Sequence, residues 1–159
     1  MSRFEAWLAH LATALVGGTG LVYAWMRYLL PPVDPYAVVN HPLEPTLQHL
    51  HVLAAPLLVF VAGQIWYRHA WQHFRRGVRH RRRTGITLAL TLVPMIVSGY
   101  LIQTAIDDPW RTAWVAVHCI ASALWLLGYL SHVARDLAAA LRRRRTSREA
   151  EDILAANSS

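Results

Sequence analysis

The chain has 159 residues, 55% of them hydrophobic, and a formal net charge of +7 at pH 7. Twelve of its 16 arginines crowd into two short clusters, residues 68–83 and 142–148, rather than spreading over a folded basic domain. We therefore exclude nucleic acid as a partner. The single cysteine, Cys119, excludes an intrachain disulfide and a two-cysteine metal site.

Four stretches carry no Asp, Glu, Lys or Arg, and each is about as long as a helix that crosses the hydrocarbon layer of a membrane. They are residues 6–26, 47–67, 86–106 and 112–134. Backbone groups in lipid must be satisfied within their own segment, so these stretches favour helices. The sequence predicts an all-α fold, an integral membrane four-helix bundle.

This pattern divides the chain into a transmembrane domain, residues 1–135, and a cytoplasmic basic tail, residues 136–159. The tail is expected to begin as a helical extension and to end loosely. We interpret the first apolar stretch as a retained anchor, because it is longer than the apolar region of a secretory signal.

The two arginine clusters predict the orientation, because cytoplasmic loops near membrane segments carry an excess of positive residues. Both clusters, and with them both termini, should face the cytoplasm of a bacterium whose inner membrane the chain crosses several times. The same clusters attract anionic headgroups, so membrane lipid is an expected partner.

Two histidines of the fourth stretch, His118 and His132, are 14 residues apart. In a helix they are separated by about 21 Å along the axis and return to nearly the same face, about 40° short of four turns. An ionisable residue inside a membrane is costly enough to indicate a functional site. The spacing would place one imidazole near each membrane surface, as two stacked haems require.

Two haems with two axial imidazoles each need four histidines, and this type of ligation favours electron transfer. His51 matches His118 in depth on the periplasmic side, and His49 is the alternative there, about 200° around the helix from His51. For His132 the partner is His10 or His69. No Cys-x-x-Cys-His motif occurs, so the haems would be of the b type.

The arrangement of histidines resembles that of the four-helix di-haem cytochrome b subunits that anchor bacterial formate dehydrogenases and nickel-iron hydrogenases in the membrane. In that family one histidine on helix 1, one on helix 2 and two on helix 4, with the same 14-residue spacing, bind two haems. The resemblance implies that His10 and His132 hold the cytoplasmic haem b, and that His51 and His118 hold the periplasmic one.

The resemblance further implies a membrane cytochrome that carries electrons between a quinone pool and a redox protein partner. A quinone or quinol would bind near the cytoplasmic haem, beside Arg68, His69 and His73. The alternative is a haem-free membrane scaffold, or a metal-binding subunit of a larger complex.

Two further residues have a structural and a functional interpretation. Gly99 could admit a flat macrocycle or let two helices approach closely. Trp125 lies midway between His118 and His132. It could bridge the haems, although packing is the simpler interpretation.

Overall fold

The computed structural model describes residues 2–32, 34, 36–67 and 82–157. Within these residues the chain forms four α-helices and no strand, which confirms the all-α prediction. All four helices are long and apolar enough to cross a membrane, as in a multi-pass membrane protein. They are α1 (Arg3–Tyr28), α2 (Glu44–Ile65), α3 (Arg82–Thr104) and α4 (Asp108–Asn157).

Helix α1 begins at a capping box. The Ser2 hydroxyl accepts a hydrogen bond from the Glu5 amide at 3.1 Å, and the Ser2 amide donates to the Glu5 carboxylate at 2.8 Å. Two amide groups that have no partner within the helix are thereby satisfied. This cap fixes the helix start ahead of the apolar stretch.

Helix α4 is longer than the sequence indicated. It runs for 50 residues and continues through the basic segment to Asn157, so the expected helical extension covers most of the tail. The segment after residue 135 is rich in Ala, Leu, Arg and Glu, which are strong helix formers. The Thr146 and Ser147 hydroxyls donate to the carbonyls of Arg142 and Arg143 and leave the helix intact.

The chain divides into two compact units, Met1–His80 and Arg81–Ser159. In the first unit α1 packs against α2. Apart from Met26 near its end, the buried positions of α1 recur at helical spacing and carry small or β-branched side chains, which allows the helix axes to approach closely. They are Ala9, Ala12, Thr13 and Val16. We call this pair of helices the first hairpin.

In the second unit α3 packs against α4, and we call this pair the second hairpin. Ser98 on α3 is only 1% exposed, and Trp125 on α4 is 8% exposed. A Cβ atom added at Gly128 would lie 3.3 Å from the Leu88 side chain. The small residue thus lets α4 approach α3.

Large apolar side chains point outward along every helix. Representative members are Leu11, Leu53, Leu90 and Leu127, with exposed fractions of 62%, 76%, 69% and 62%. Contiguous apolar surface of this extent is unfavourable in water. The same surface is not penalised in lipid. The exposed apolar side chains therefore agree with the length and hydropathy of the helices, which suit a membrane.

The connection between α1 and α2 is held by a buried carboxylate. Glu44 is 4% exposed, and its Oε1 accepts from Arg27 Nη1 at 3.1 Å. Its Oε2 accepts from the Asn40 amide at 3.0 Å, while the Asn40 side chain donates to the Arg27 carbonyl at 2.9 Å. These bonds join the end of α1 to the start of α2.

Replacing Arg27 by alanine leaves one oxygen of the buried Glu44 carboxylate without its cation. We expect R27A to lower the free energy of unfolding by about 1–3 kcal/mol, as when a buried polar group loses a partner. Denaturant titration in detergent micelles measures the change. The exposed Arg3 supplies a control, because R3A should change stability by less than about 0.5 kcal/mol. Equal effects of the two substitutions would contradict the role of Glu44.

Candidate functional site

His51 of α2 inserts its ring against the backbone of α1. Its Nδ1 lies 3.0 Å from the Val16 carbonyl oxygen and 3.3 Å from the Thr19 hydroxyl. The Thr19 hydroxyl has a single proton and lies 2.7 Å from the Leu15 carbonyl oxygen, to which it donates. Nδ1 therefore faces two oxygens that act as acceptors, so it must carry a proton itself.

His118 of α4 repeats this arrangement against α3. Its Nδ1 lies 2.9 Å from the Met95 carbonyl oxygen and 3.3 Å from the Ser98 hydroxyl. The Ser98 hydroxyl in turn donates to the Pro94 carbonyl at 2.5 Å. The same reasoning places a proton on Nδ1 of His118.

The two hydrogen-bond patterns fix one tautomer of each imidazole. In the neutral ring only one nitrogen carries a proton, so Nε2 of both His51 and His118 bears the lone pair. Metal-ligating histidines in proteins commonly donate their other ring N–H to a carbonyl, which orients the ring and strengthens the ligand. Both imidazoles have the protonation pattern of an Nε2 ligand.

A glycine permits each close approach. A Cβ atom at Gly20 would lie 2.8 Å from Cε1 of His51, and one at Gly99 would lie 3.3 Å from Cε1 of His118. Gly99 thus faces the His118 imidazole across the contact between α3 and α4. The two glycines let the rings reach the helix backbone.

The two hairpins share one local pattern, which the sequence reasoning missed. A carbonyl at one position is followed three residues later by a hydroxyl and four residues later by glycine. In α1 these residues are Val16, Thr19 and Gly20, and in α3 they are Met95, Ser98 and Gly99. The recurring hydroxyl-glycine pair was the available signal, but the partner histidine is known only from the structure.

His132 lies on the same helix as His118 but in a different environment. Its Nε2 is 3.9 Å from Asp136 Oδ2, one turn further along α4. Because α4 is continuous between the two histidines, their separation of about 21 Å along the axis is retained. His132 therefore keeps the predicted spacing, with a carboxylate near its Nε2.

His10 lies on α1 with an exposed side chain. The residues of α1 that contact His51 begin at Val16 and end at Gly20. At 1.5 Å per residue, His10 is about 9–15 Å from that level along the helix, which is less than the about 21 Å between His118 and His132. The axial distance between His10 and the level of His51 is therefore shorter than the distance between His118 and His132, which the two-haem scheme would require it to match.

The remaining candidates divide into two groups. His49 is exposed on α2, whereas His51 is half-buried against α1. His69, the alternative partner of His132, lies outside the described residues. So do Arg68 and His73, beside which the family resemblance implies a quinone site.

Trp125 is buried within the second hairpin, and its ring stacks on Tyr129 with a centroid distance of 5.4 Å. Such aromatic pairs add stability beyond the area that they bury. This packing is the structural interpretation that the sequence favoured.

Comparison of the chain with protein-family models, with curated proteins and with solved structures finds no match. The features of this chain that bear on its function are therefore the histidine pattern and the geometry around His51 and His118.

Replacing Gly20 by alanine places a methyl group where the His51 ring lies. We expect G20A to displace the imidazole from the Val16 carbonyl and to lower the free energy of unfolding by about 1–3 kcal/mol, as in other overpacked sites. G99A should have the smaller effect, because the added atom is 3.3 Å rather than 2.8 Å from the ring.

Gly18 is the matched control on the same helix, since a Cβ atom there meets nothing within 4 Å. G18A should be neutral or stabilising by up to about 1 kcal/mol, because alanine is the better helix former. The measurement is denaturant titration in micelles. If G20A were as stable as G18A, the close packing of His51 would be refuted.

Proposed function

We propose that this chain is a b-type membrane cytochrome that binds haem through His51 and His118 and carries electrons across a membrane. One observation carries the proposal: both imidazoles have Nδ1 fixed as a donor to a helix carbonyl. The same hydrogen bond recurs in two hairpins on residues that the sequence singled out independently. That recurrence supports a shared chemical role.

The donor set fits a haem. A haem supplies four nitrogen ligands to its iron and needs only axial groups from the protein. Among residues 2–32, 34, 36–67 and 82–157, no cluster of three or more His, Cys, Asp or Glu could hold a metal ion by itself. An imidazole with its lone pair on Nε2 is a suitable axial ligand. A bound haem b would supply a one-electron carrier.

His10 and His132 complete the proposal as ligands of a second haem b. His132 is supported by its spacing from His118 along α4. His10 has the weaker support of the two, because its level on α1 is closer to that of His51. The cytoplasmic haem therefore depends on the choice between His10 and His69, and loss-of-haem variants distinguish them.

The proposed setting is the inner membrane of a bacterium, with four helices that span it as one bundle and both termini in the cytoplasm. Four apolar helices support this topology. So do the arginines of residues 142–145, which are exposed where α4 continues beyond its apolar part. Anionic lipid headgroups would contact this basic segment.

The proposed electron partners are a quinone or quinol and a redox protein. Near its end, α2 presents an open, shallow surface with Phe60, Gln64 and Tyr67, and this surface would face the cytoplasmic side in the proposed topology. The amide and the phenol offer hydrogen-bond donors to a quinone oxygen, and the aromatic rings offer apolar contact. These side chains support a quinone site at this end of α2, directly before Arg68 and His69 in the sequence.

The proposal is tested by haem content. The full chain, expressed with haem supplementation and purified in detergent, should show a reduced-minus-oxidised b-type spectrum and two haems per chain by the pyridine haemochrome method. H51A and H118A should each lose haem, because each removes an axial ligand. Purified chain without a b-type spectrum would refute the proposal and favour the scaffold hypothesis.

His49 provides the control, since it is exposed and only two residues from His51. H49A should keep full haem content. If His51 and His118 serve one iron, H51A and H118A lose the same spectral component and H132A loses the other. H10A and H69A then show which histidine accompanies His132. Equal haem content in all of these variants would refute the ligand assignment.

The topology is tested by reporter fusions. Green fluorescent protein joined after residue 159 should fluoresce, and alkaline phosphatase at the same point should be inactive, because the C-terminus is proposed to be cytoplasmic. Phosphatase inserted after Tyr36, in the connection between α1 and α2, should be active. The reversed pattern would overturn the proposed orientation.

A further inference from the structure

Beside each of the two histidines lies a hydroxyl that, together with a backbone carbonyl, can accept the hydrogen bond from the imidazole Nδ1–H. Thr19 Oγ1 and Ser98 Oγ are both 3.3 Å from the Nδ1 of their histidine. Each hydroxyl has one proton, which it donates along its own helix. Its oxygen therefore faces Nδ1–H with lone pairs only.

The position of each hydroxyl is fixed. Ser98 is 1% exposed, and its Oγ is held between the Pro94 and Met95 carbonyls at 2.5 and 3.1 Å. Thr19 Oγ1 is held between the Leu15 and Val16 carbonyls at 2.7 and 3.2 Å. A hydroxyl that donates a hydrogen bond is a better acceptor through its oxygen, because chains of hydrogen bonds polarise one another.

We infer that Thr19 and Ser98 are positioning residues that hold the two imidazoles and set their strength as electron donors, and thereby the reduction potential of a haem that they ligate. The inference rests on the proposed function. A second acceptor on Nδ1–H makes the ring more electron-rich, and an electron-rich axial ligand stabilises the ferric form. The hydroxyls therefore keep the potential lower than the carbonyl bonds alone would.

The substitutions T19V and S98A remove the hydroxyls with little change of volume. We expect each to raise the midpoint potential of a haem in the holoprotein. The expected change in the reduction equilibrium is up to about tenfold, and tenfold corresponds to about 59 mV for one electron. T19S should restore the wild-type potential, because it retains the hydroxyl. Potentiometric titration of the purified full chain gives these values.

Thr91 is the matched control. It lies on α3 and donates its hydroxyl to the Thr87 carbonyl at 2.8 Å, as Ser98 does to that of Pro94. T91V therefore removes the same kind of intrahelical bond and should leave the potential unchanged. Unchanged potentials in T19V and S98A, or a T91V shift as large as theirs, would overturn the inference.

A second readout does not need haem. In the full chain without haem, labelled with ¹⁵N-histidine in micelles, the resonances of His51 and His118 should report protonation at Nδ1. T19V should move the Nδ1 signal of His51, and S98A that of His118. If these shifts occur but no haem binds, the proposed function fails and the hydrogen-bond role stands. If haem binds but neither the shifts nor the potentials change, only the inference fails.

Discussion

The hydrogen bond from a histidine Nδ1–H to a carbonyl within a neighbouring helix is the interaction on which the site depends. Such a carbonyl already accepts the amide of the residue four positions later, and only its second lone pair is available. The Cβ atom of that later residue tilts toward the helix N-terminus and would cover the oxygen. Gly20 and Gly99 stand at this position, so the carbonyls of Val16 and Met95 can be reached.

The spacing of the shared pattern follows from helix geometry. Residues three and four positions later lie on the same face, one turn away. A hydroxyl at the third position flanks the carbonyl, and glycine at the fourth uncovers it. In each hairpin the first helix (α1 or α3) provides a carbonyl oxygen, a hydroxyl oxygen and the space left by a glycine. The second helix (α2 or α4) places one imidazole in that space. The result satisfies a polar ring in an apolar setting, where an unsatisfied one would be costly.

The apolar outer surfaces and the polar connection between α1 and α2 both reflect the need to satisfy every polar group away from the apolar surface. Apolar side chains cover the helices on the outside, so the polar groups must be satisfied between the helices of a hairpin or at their ends. Glu44 illustrates the second case, since one of its carboxylate oxygens accepts from Arg27 near the end of α1 and the other from the Asn40 amide in the connection. The hairpin is therefore fixed at its connection by charge and further along by the histidine.

The sequence by itself determined the four apolar helices, because these follow from composition and from length along one chain segment, and it predicted which histidines to consider as ligands. It fixed the axial spacing of His118 and His132, which needs only a continuous helix. It also predicted that the basic segment begins as a helical extension, and helix propensity carries α4 on to Asn157. Only tertiary structure decided which atoms meet the imidazoles. Contacts between helices depend on axial level and rotation, so the tautomer of each ring and the parts played by Thr19, Gly20, Ser98 and Gly99 followed from packing.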